Sequence, residues 1–123
     1  MLPKEDQSIE VYLDFINKLY PEMSDRTARF AENAELTHAL LGLSGETGEV
    51  VDLIKKHLAY GKDLDKAKLT LELGDLFHYF CRVVFLSGLS LDDVITGNYL
   101  KLQKRFPNGF TNKDAIEQTE NKC

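Results

Sequence analysis

The sequence holds few cysteines, and they follow no pattern that would build a disulfide framework or a zinc site. There are two, Cys81 in an apolar segment and Cys123 at the last position. Structural zinc sites need several Cys or His ligands at short spacings, and disulfide-rich domains need several cysteine pairs. Both classes are excluded, and we expect the protein in the cytoplasm, where thiols stay reduced.

Positive charge is also scarce. The chain has 15 Lys and Arg against 20 Asp and Glu, which gives a net charge of −5 and a pI near 5.2. Proteins that follow a nucleic-acid backbone bind its phosphates with clustered Lys and Arg. We therefore expect no nucleic-acid partner. A phosphorylated small molecule is still compatible with this charge, because bound metal ions reverse the sign of an acidic site.

Long apolar runs are absent from the helical segments. The longest run there is Val83 to Leu86, far below the roughly 20 residues that span a bilayer. The first seven residues, MLPKEDQ, are polar as a group and contain no long apolar run. We therefore expect neither a signal peptide nor a membrane-spanning helix.

The apolar residues follow a helical period, and no stretch shows convincing strand alternation. The pattern predicts four helices, at 5–20, 34–60, 65–87 and 90–106. Asp65 and Ser90 are predicted to cap the N-termini of the last two. Residues 21–33 are predicted as a connector that has room for a turn of helix. Helices of this length with short connectors predict an all-α fold, an antiparallel four-helix bundle. We expect one domain over residues 1–110, followed by a polar tail at 111–123.

Three glycines weaken the second predicted helix. Gly42, Gly45 and Gly48 lie at intervals of three, and each costs a helix interior about 1 kcal/mol relative to alanine. Close approach of another helix or of a ligand would offset this cost. A break near Gly42 to Gly45, with Ser44 as a local cap, is the alternative.

Two pairs of acids lie on consecutive predicted helices. Glu46 precedes Glu49 by three residues, and Glu72 precedes Asp75 by three, so each pair shares a helix face. Like charges one turn apart repel, and apolar residues surround both pairs. Two interpretations stay open at this point. The acids face solvent on two amphipathic helices, or they hold a hard divalent cation such as Mg²⁺ or Mn²⁺, which prefers oxygen ligands.

A helical wheel shows which residues share a face with these acids, at about 100° per residue. Lys56 falls within a quarter turn of Glu46, and so does His38 if the helix is unbroken. On the next helix, Tyr79 lies close to the direction of Glu72, and Arg82 lies at the edge of the same face. A lone histidine or aromatic residue on a helix more often belongs to the surface or the core, so these residues are candidates only.

Three blocks of sequence match a known pattern. The first is Glu46-Thr47-Gly48-Glu49, the second is Glu72-Leu73-Gly74-Asp75, and the third is NYLKLQKRFPNGF at 98–110. The chain resembles the MazG-like all-α nucleoside triphosphate pyrophosphohydrolases, whose signature is E-x-x-E followed by E-x-x-D. Leu71 stands where many relatives carry a further acid, and Gly45 stands where some do, so the number of bound metal ions stays open.

The resemblance implies a metal-dependent hydrolase. Such an enzyme cleaves a nucleoside triphosphate between its α and β phosphates and releases the monophosphate and pyrophosphate. Glu46, Glu49, Glu72 and Asp75 would be the catalytic and metal-binding residues, holding Mg²⁺, with Mn²⁺ as a substitute. The residues do not decide which of the four accepts the proton.

The resemblance also implies residues that bind the substrate. Lys101 and Arg105 share a face of the last helix and would bind the outer phosphates, with Asn98 one turn earlier. Without the resemblance, they read as solvated cations at a helix C-terminus. The remaining candidates are Lys56 for a phosphate, and His38 and Tyr79 for the nucleoside.

Members of this superfamily often assemble as dimers, so we expect a homodimer or homotetramer. Two alternative functions stay open. The chain could be a non-catalytic helical dimerisation module, or a hydrolase of a specialised substrate such as phosphoribosyl-ATP.

Overall fold

Helices make up almost all of the chain for which the structure gives a description. The computed structural model describes residues 8–20, 24–109, 111–113 and 116. These residues form five helices and no strand: α1 (Ser8–Lys18), α2 (Ser24–Glu32), α3 (Ala34–Tyr60), α4 (Lys66–Leu86) and α5 (Leu91–Arg105). The predicted all-α class is confirmed. Most of the predicted tail at 111–123 lies outside the described residues.

The chain divides into two compact units, Met1–Ala34 and Glu35–Cys123. The first holds α1 and α2, and the second holds nearly all of α3 together with α4 and α5. The arrangement of the helices as an antiparallel four-helix bundle stays a prediction.

Helix α2 replaces the connector that the sequence predicted at 21–33. It is nine residues long and carries Asp25 in its first turn and Arg29 in its last, where the helix dipole favours these charges. Asn33 follows it: its backbone N–H donates to the carbonyl of Arg29 at 3.2 Å, and its side-chain amide donates to the same oxygen at 2.8 Å. The prediction of a connector was wrong over residues 24–32, where the chain is helical although few of its residues are apolar.

Helix α3 runs without a break through its three glycines. The alternative of a break near Gly42 to Gly45 is therefore not adopted. Gly42 alone among the three comes close to another helix, at Tyr79 of α4, whereas Gly45 and Gly48 have open space beside them. The predicted close approach of another helix is thus found at Gly42 and not at Gly45 or Gly48.

Helices α4 and α5 begin at the predicted capping residues. The Asp65 carboxylate accepts the backbone N–H of Lys68 at 2.9 Å, and the Ser90 hydroxyl accepts that of Asp93 at 3.4 Å. Gly88 follows α4 with a φ of 71°, a left-handed conformation that favours glycine after a helix.

Much apolar surface is left uncovered in the described residues. Ala39 and Val84 are the buried apolar residues. Large side chains along α3, α4 and α5 stay more than 45% exposed, among them Leu40, Val51, Leu58, Leu73, Phe77, Phe85 and Ile95. Within the described part of the chain, no helix is long and apolar enough to cross a membrane.

Candidate metal centre

Helices α3 and α4 bring three carboxylates to one place. Glu46, Glu72 and Asp75 each offer an oxygen, and these oxygens lie within 4.8 Å of one another. Glu72 and Asp75 can share the site because their spacing of three keeps both on one face of α4. Glu46 and Glu72 are half-buried and Asp75 is exposed. We call these three residues the acidic cluster.

Glu46 has an unusual environment for a carboxylate. Its Oε2 is buried and has no hydrogen-bond partner in the described residues. The pKa of Glu46 is raised above its ordinary value, first by a hydrogen bond shared with Glu72, then by burial, and then by the charges of Asp75, Glu72 and Glu49. Two facing carboxylates share a hydrogen bond only when one of them is protonated. The alternative to a proton is a cation, so the cluster suits a hard divalent ion.

Glu49 lies near the acidic cluster but is not one of the three residues that meet. It is exposed on α3. Its charge nevertheless contributes to raising the pKa of Glu46 and that of Lys56. Of the four predicted ligands, the structure thus brings three together and leaves Glu49 at the margin.

Lys56 is paired with a residue that the sequence analysis did not single out. Its Nζ lies 2.6 Å from Asp52, which also has Lys55 at 3.7 Å. The hydrogen bond with Asp52 is the main cause that raises the pKa of Lys56, and the same bond lowers that of Asp52. The spacing of four residues between Asp52 and Lys56 could have predicted this ion pair from the sequence. Lys56 also lines a cavity of about 390 Å³ at the α3–α4 loop.

His38 and Tyr79, predicted to contact the nucleoside, lie together beside the cluster. Their ring centroids are 6.0 Å apart at an angle of 65°. The Tyr79 ring also stacks on His78, with centroids 4.9 Å apart, and covers the backbone at Gly42. Tyr79 is one turn beyond Asp75 on α4, so this aromatic group borders the acids.

Asn98 and Lys101 lie in a groove of about 590 Å³ between α4 and α5. Phe80 contributes from α4. None of the residues of the acidic cluster lines this groove. Arg105 is half-buried at the end of α5 and does not line the groove either. The structure thus brings Asn98 and Lys101 together but not into one cavity with the acids.

A further ion pair joins α3 and α4 on the other side of the aromatic group. Arg82 donates to the Glu35 carboxylate at 3.2 Å. Sequence reasoning placed Arg82 near the edge of this face but gave no partner for it, because the two residues are 47 positions apart.

Comparison with known protein families shows which family the chain belongs to. A family model, that of the MazG nucleotide pyrophosphohydrolase domain, matches residues 34–110. The chain belongs to the MazG nucleotide pyrophosphohydrolase family. The resemblance read from its acid motifs is confirmed. No curated protein and no solved structure matches the chain.

The MazG match covers α3, α4 and α5 in full. It therefore contains the acidic cluster and every predicted substrate-binding residue, while α1 and α2 precede it. Its last residue, Phe110, lies outside the described residues. Membership in this family makes the chain a member of a group of hydrolases that act on nucleotides.

Proposed function

We propose that this MazG protein hydrolyses a nucleoside or deoxynucleoside triphosphate between its α and β phosphates. Water adds to the α-phosphorus, and the bond from that phosphorus to the bridging oxygen breaks. The products are the monophosphate and pyrophosphate. The observation that carries the proposal is the meeting of Glu46, Glu72 and Asp75 within 4.8 Å, in a chain of this family.

Glu46, Glu72 and Asp75 would hold Mg²⁺, or Mn²⁺ in its place, with Glu49 as a fourth ligand. The fit rests on the buried Oε2 of Glu46, which has no partner in the described residues, and on an all-oxygen donor set that suits hard cations. When bound, such an ion neutralises phosphate charge and lowers the pKa of the attacking water. One of the four acids accepts the proton of that water.

The cationic residues would bind the outer phosphates. Lys101 is exposed and lines the α4–α5 groove together with Asn98, and Arg105 follows one turn later on α5. Lys56 is a further phosphate ligand, because its pair with Asp52 is open to solvent and exposed pairs are weak enough to exchange for a phosphate. His38 and Tyr79 would contact the nucleoside.

The protein would work as a homodimer or homotetramer. The support is the apolar surface of α3, α4 and α5, since side chains such as Leu40, Val51 and Phe77 are about half exposed. Apolar surface of this extent in a soluble chain marks an interaction site. A second copy would cover it.

A product assay tests the proposed reaction. The protein is incubated with each ordinary and deoxy nucleoside triphosphate plus Mg²⁺ in water enriched in ¹⁸O, and the products are identified by mass spectrometry. We expect pyrophosphate without label and a monophosphate that carries one ¹⁸O, and no turnover when EDTA replaces Mg²⁺. Orthophosphate as the only released phosphate would move the cleavage to the outer phosphate and overturn the proposal.

A further inference from the structure

The ring of Tyr79 occupies the space that a side chain at Gly42 would need. A Cβ built on Gly42 would overlap Cδ1, Cε1 and Cζ of that ring. The other glycines of α3 differ, because a Cβ at Gly45 or Gly48 meets nothing within 4 Å. Of the three glycines, only Gly42 leaves room for a neighbouring side chain, the Tyr79 ring, by lacking a Cβ.

This contact lies one helical turn from the acidic cluster on both helices. Gly42 precedes Glu46 by four residues on α3, and Tyr79 follows Asp75 by four on α4. Four residues correspond to about 6 Å along a helix axis. The ring therefore borders the acidic cluster but lies about one helical turn away from it along α3 and α4. We call this position the adjacent level.

The Tyr79 ring is half-buried, and exposed rings flank it. His38 meets it edge-on at 6.0 Å, and His78 lies parallel to it at 4.9 Å. Both histidines are exposed. A ligand that reaches this level would therefore meet aromatic faces and edges, which suit a planar base or the apolar face of a sugar.

We propose that Gly42 determines the nucleoside selectivity of the site by fixing the position of the Tyr79 ring. The inference rests on the proposed function, in which the acids meet the phosphates and the adjacent level receives the nucleoside. With a methyl group at position 42, the ring must move to another staggered rotamer. That move changes the wall that the nucleoside meets, while the three carboxylates keep their places. Gly42 is a positioning residue that acts through Tyr79.

The test compares Gly42→Ala with two matched controls, Gly45→Ala and Gly48→Ala. We expect Gly42→Ala to change the ratio of kcat/KM between a purine and a pyrimidine deoxynucleoside triphosphate by at least fivefold. Its dissociation constant for Mn²⁺, measured by calorimetry, should stay within twofold of the unmodified protein. Both controls should stay within twofold in both measurements, because the space beside these glycines is open.

A spectroscopic readout follows the ring itself. The protein is labelled with 3-fluorotyrosine, and the ¹⁹F signal of Tyr79 is assigned with Tyr79→Phe. Gly42→Ala should shift this signal, and Gly45→Ala should leave it in place. An unshifted signal in Gly42→Ala would show that the ring does not depend on the glycine and would overturn the inference.

A double-mutant cycle keeps the test informative if Gly42→Ala folds poorly. Leucine at position 79 removes the ring and the overlap, so Tyr79→Leu and Gly42→Ala/Tyr79→Leu should both fold. The alanine should then change selectivity by less than twofold, because the effect requires the ring. A fivefold change in the Tyr79→Leu background would overturn the inference, and so would a shifted ring signal with unchanged selectivity.

Failure of the proposed reaction can be told apart from failure of this inference. If no triphosphate is hydrolysed, the proposed function fails, and binding of α,β-imido analogues of the same two nucleotides with Mg²⁺ is measured instead. A Gly42-dependent preference between the analogues supports the inference. Equal preference in the unmodified protein and in Gly42→Ala overturns it.

Discussion

Glu46 of α3 and Glu72 of α4 hold carboxylate oxygens within 4.8 Å of each other. In the described part of the chain, neither forms an ion pair with a lysine, arginine or histidine. Facing carboxylates repel each other unless a proton or a cation compensates. The place where these two carboxylates meet therefore favours a bound positive charge.

Divalent ions should stabilise the folded protein through the acidic cluster. Addition of Mn²⁺ or Mg²⁺ at 100 times its dissociation constant should raise the free energy of unfolding by about 2.7 kcal/mol. Thermal unfolding with and without the ion measures this effect. Asp92→Asn, an exposed acid on α5, is the control that keeps the stabilisation. An equal gain in Glu46→Gln/Glu72→Gln would contradict the assigned ligands.

Asp75→Asn and Glu49→Gln should each lower turnover by at least a hundredfold while the far-ultraviolet circular dichroism stays unchanged. The two should differ in metal affinity. Asp75→Asn removes an oxygen of the cluster and should weaken Mn²⁺ binding about tenfold, whereas Glu49 lies outside the three residues that meet and should matter less. Full turnover in either variant would count against the assigned roles.

Gly45→Ala and Gly48→Ala should each stabilise the protein by about 1 kcal/mol, because both positions are inside α3 and a Cβ there meets nothing. Gly42→Ala should bring no such gain, since the methyl group overlaps the Tyr79 ring. Urea unfolding of the three variants measures the difference. Equal stabilisation by all three would show that the ring is not held against Gly42.

The Asp52–Lys56 pair should show its effect in the pH dependence of stability. The pKa of Asp52 is lowered from 3.8, chiefly by its hydrogen bond with Lys56. Its contribution is thus present above pH 3.8 and is lost as the pH falls through the lowered folded value. The pKa of Lys56 is raised from 10.5 by the same bond, so its contribution is present below pH 10.5 and is lost as the pH rises through the raised value.

Nuclear magnetic resonance titration of the Asp52 carboxyl checks this pair. The group should titrate below 3.8, and Lys56→Met should move its midpoint upward. The unfolding free energies of the two proteins should differ at neutral pH and converge in strong acid. A midpoint that ignores the substitution would mean that the pair does not persist in solution.

Light scattering should give a mass of about two or four times 14.0 kDa, because a second copy would cover the exposed apolar side chains of α3 to α5. Dilution over two orders of magnitude tests whether the assembly persists. A mass of one chain at every concentration would contradict the assembly.

Local chemistry made much of the fold predictable. Asp65 and Ser90 were found from sequence because a side-chain cap and the helix that follows it are close neighbours. Helix α2 was missed because it is only nine residues long and mostly polar, so its helical period is marked by charged residues more than by apolar ones.

The candidate site was predictable in composition but not in arrangement. Residues three apart on a helix differ in direction by about 60°, so the sequence could not show that Glu49 would stay outside the group. The contact between Gly42 and Tyr79 depends on how far α4 is displaced along α3, which no spacing within either helix records. The ion pair between Arg82 and Glu35 could not be predicted either, because it also depends on how α4 lies along α3.

The connection between α3 and α4 is five residues long, from Gly61 to Asp65. One inserted residue that extended α4 would displace its later side chains by 1.5 Å along the axis and 100° around it. Glu72 and Asp75 would then turn away from Glu46, and Arg82 away from Glu35. An insertion that lengthened α4 in this way would therefore separate the three carboxylates although every acidic residue is still present.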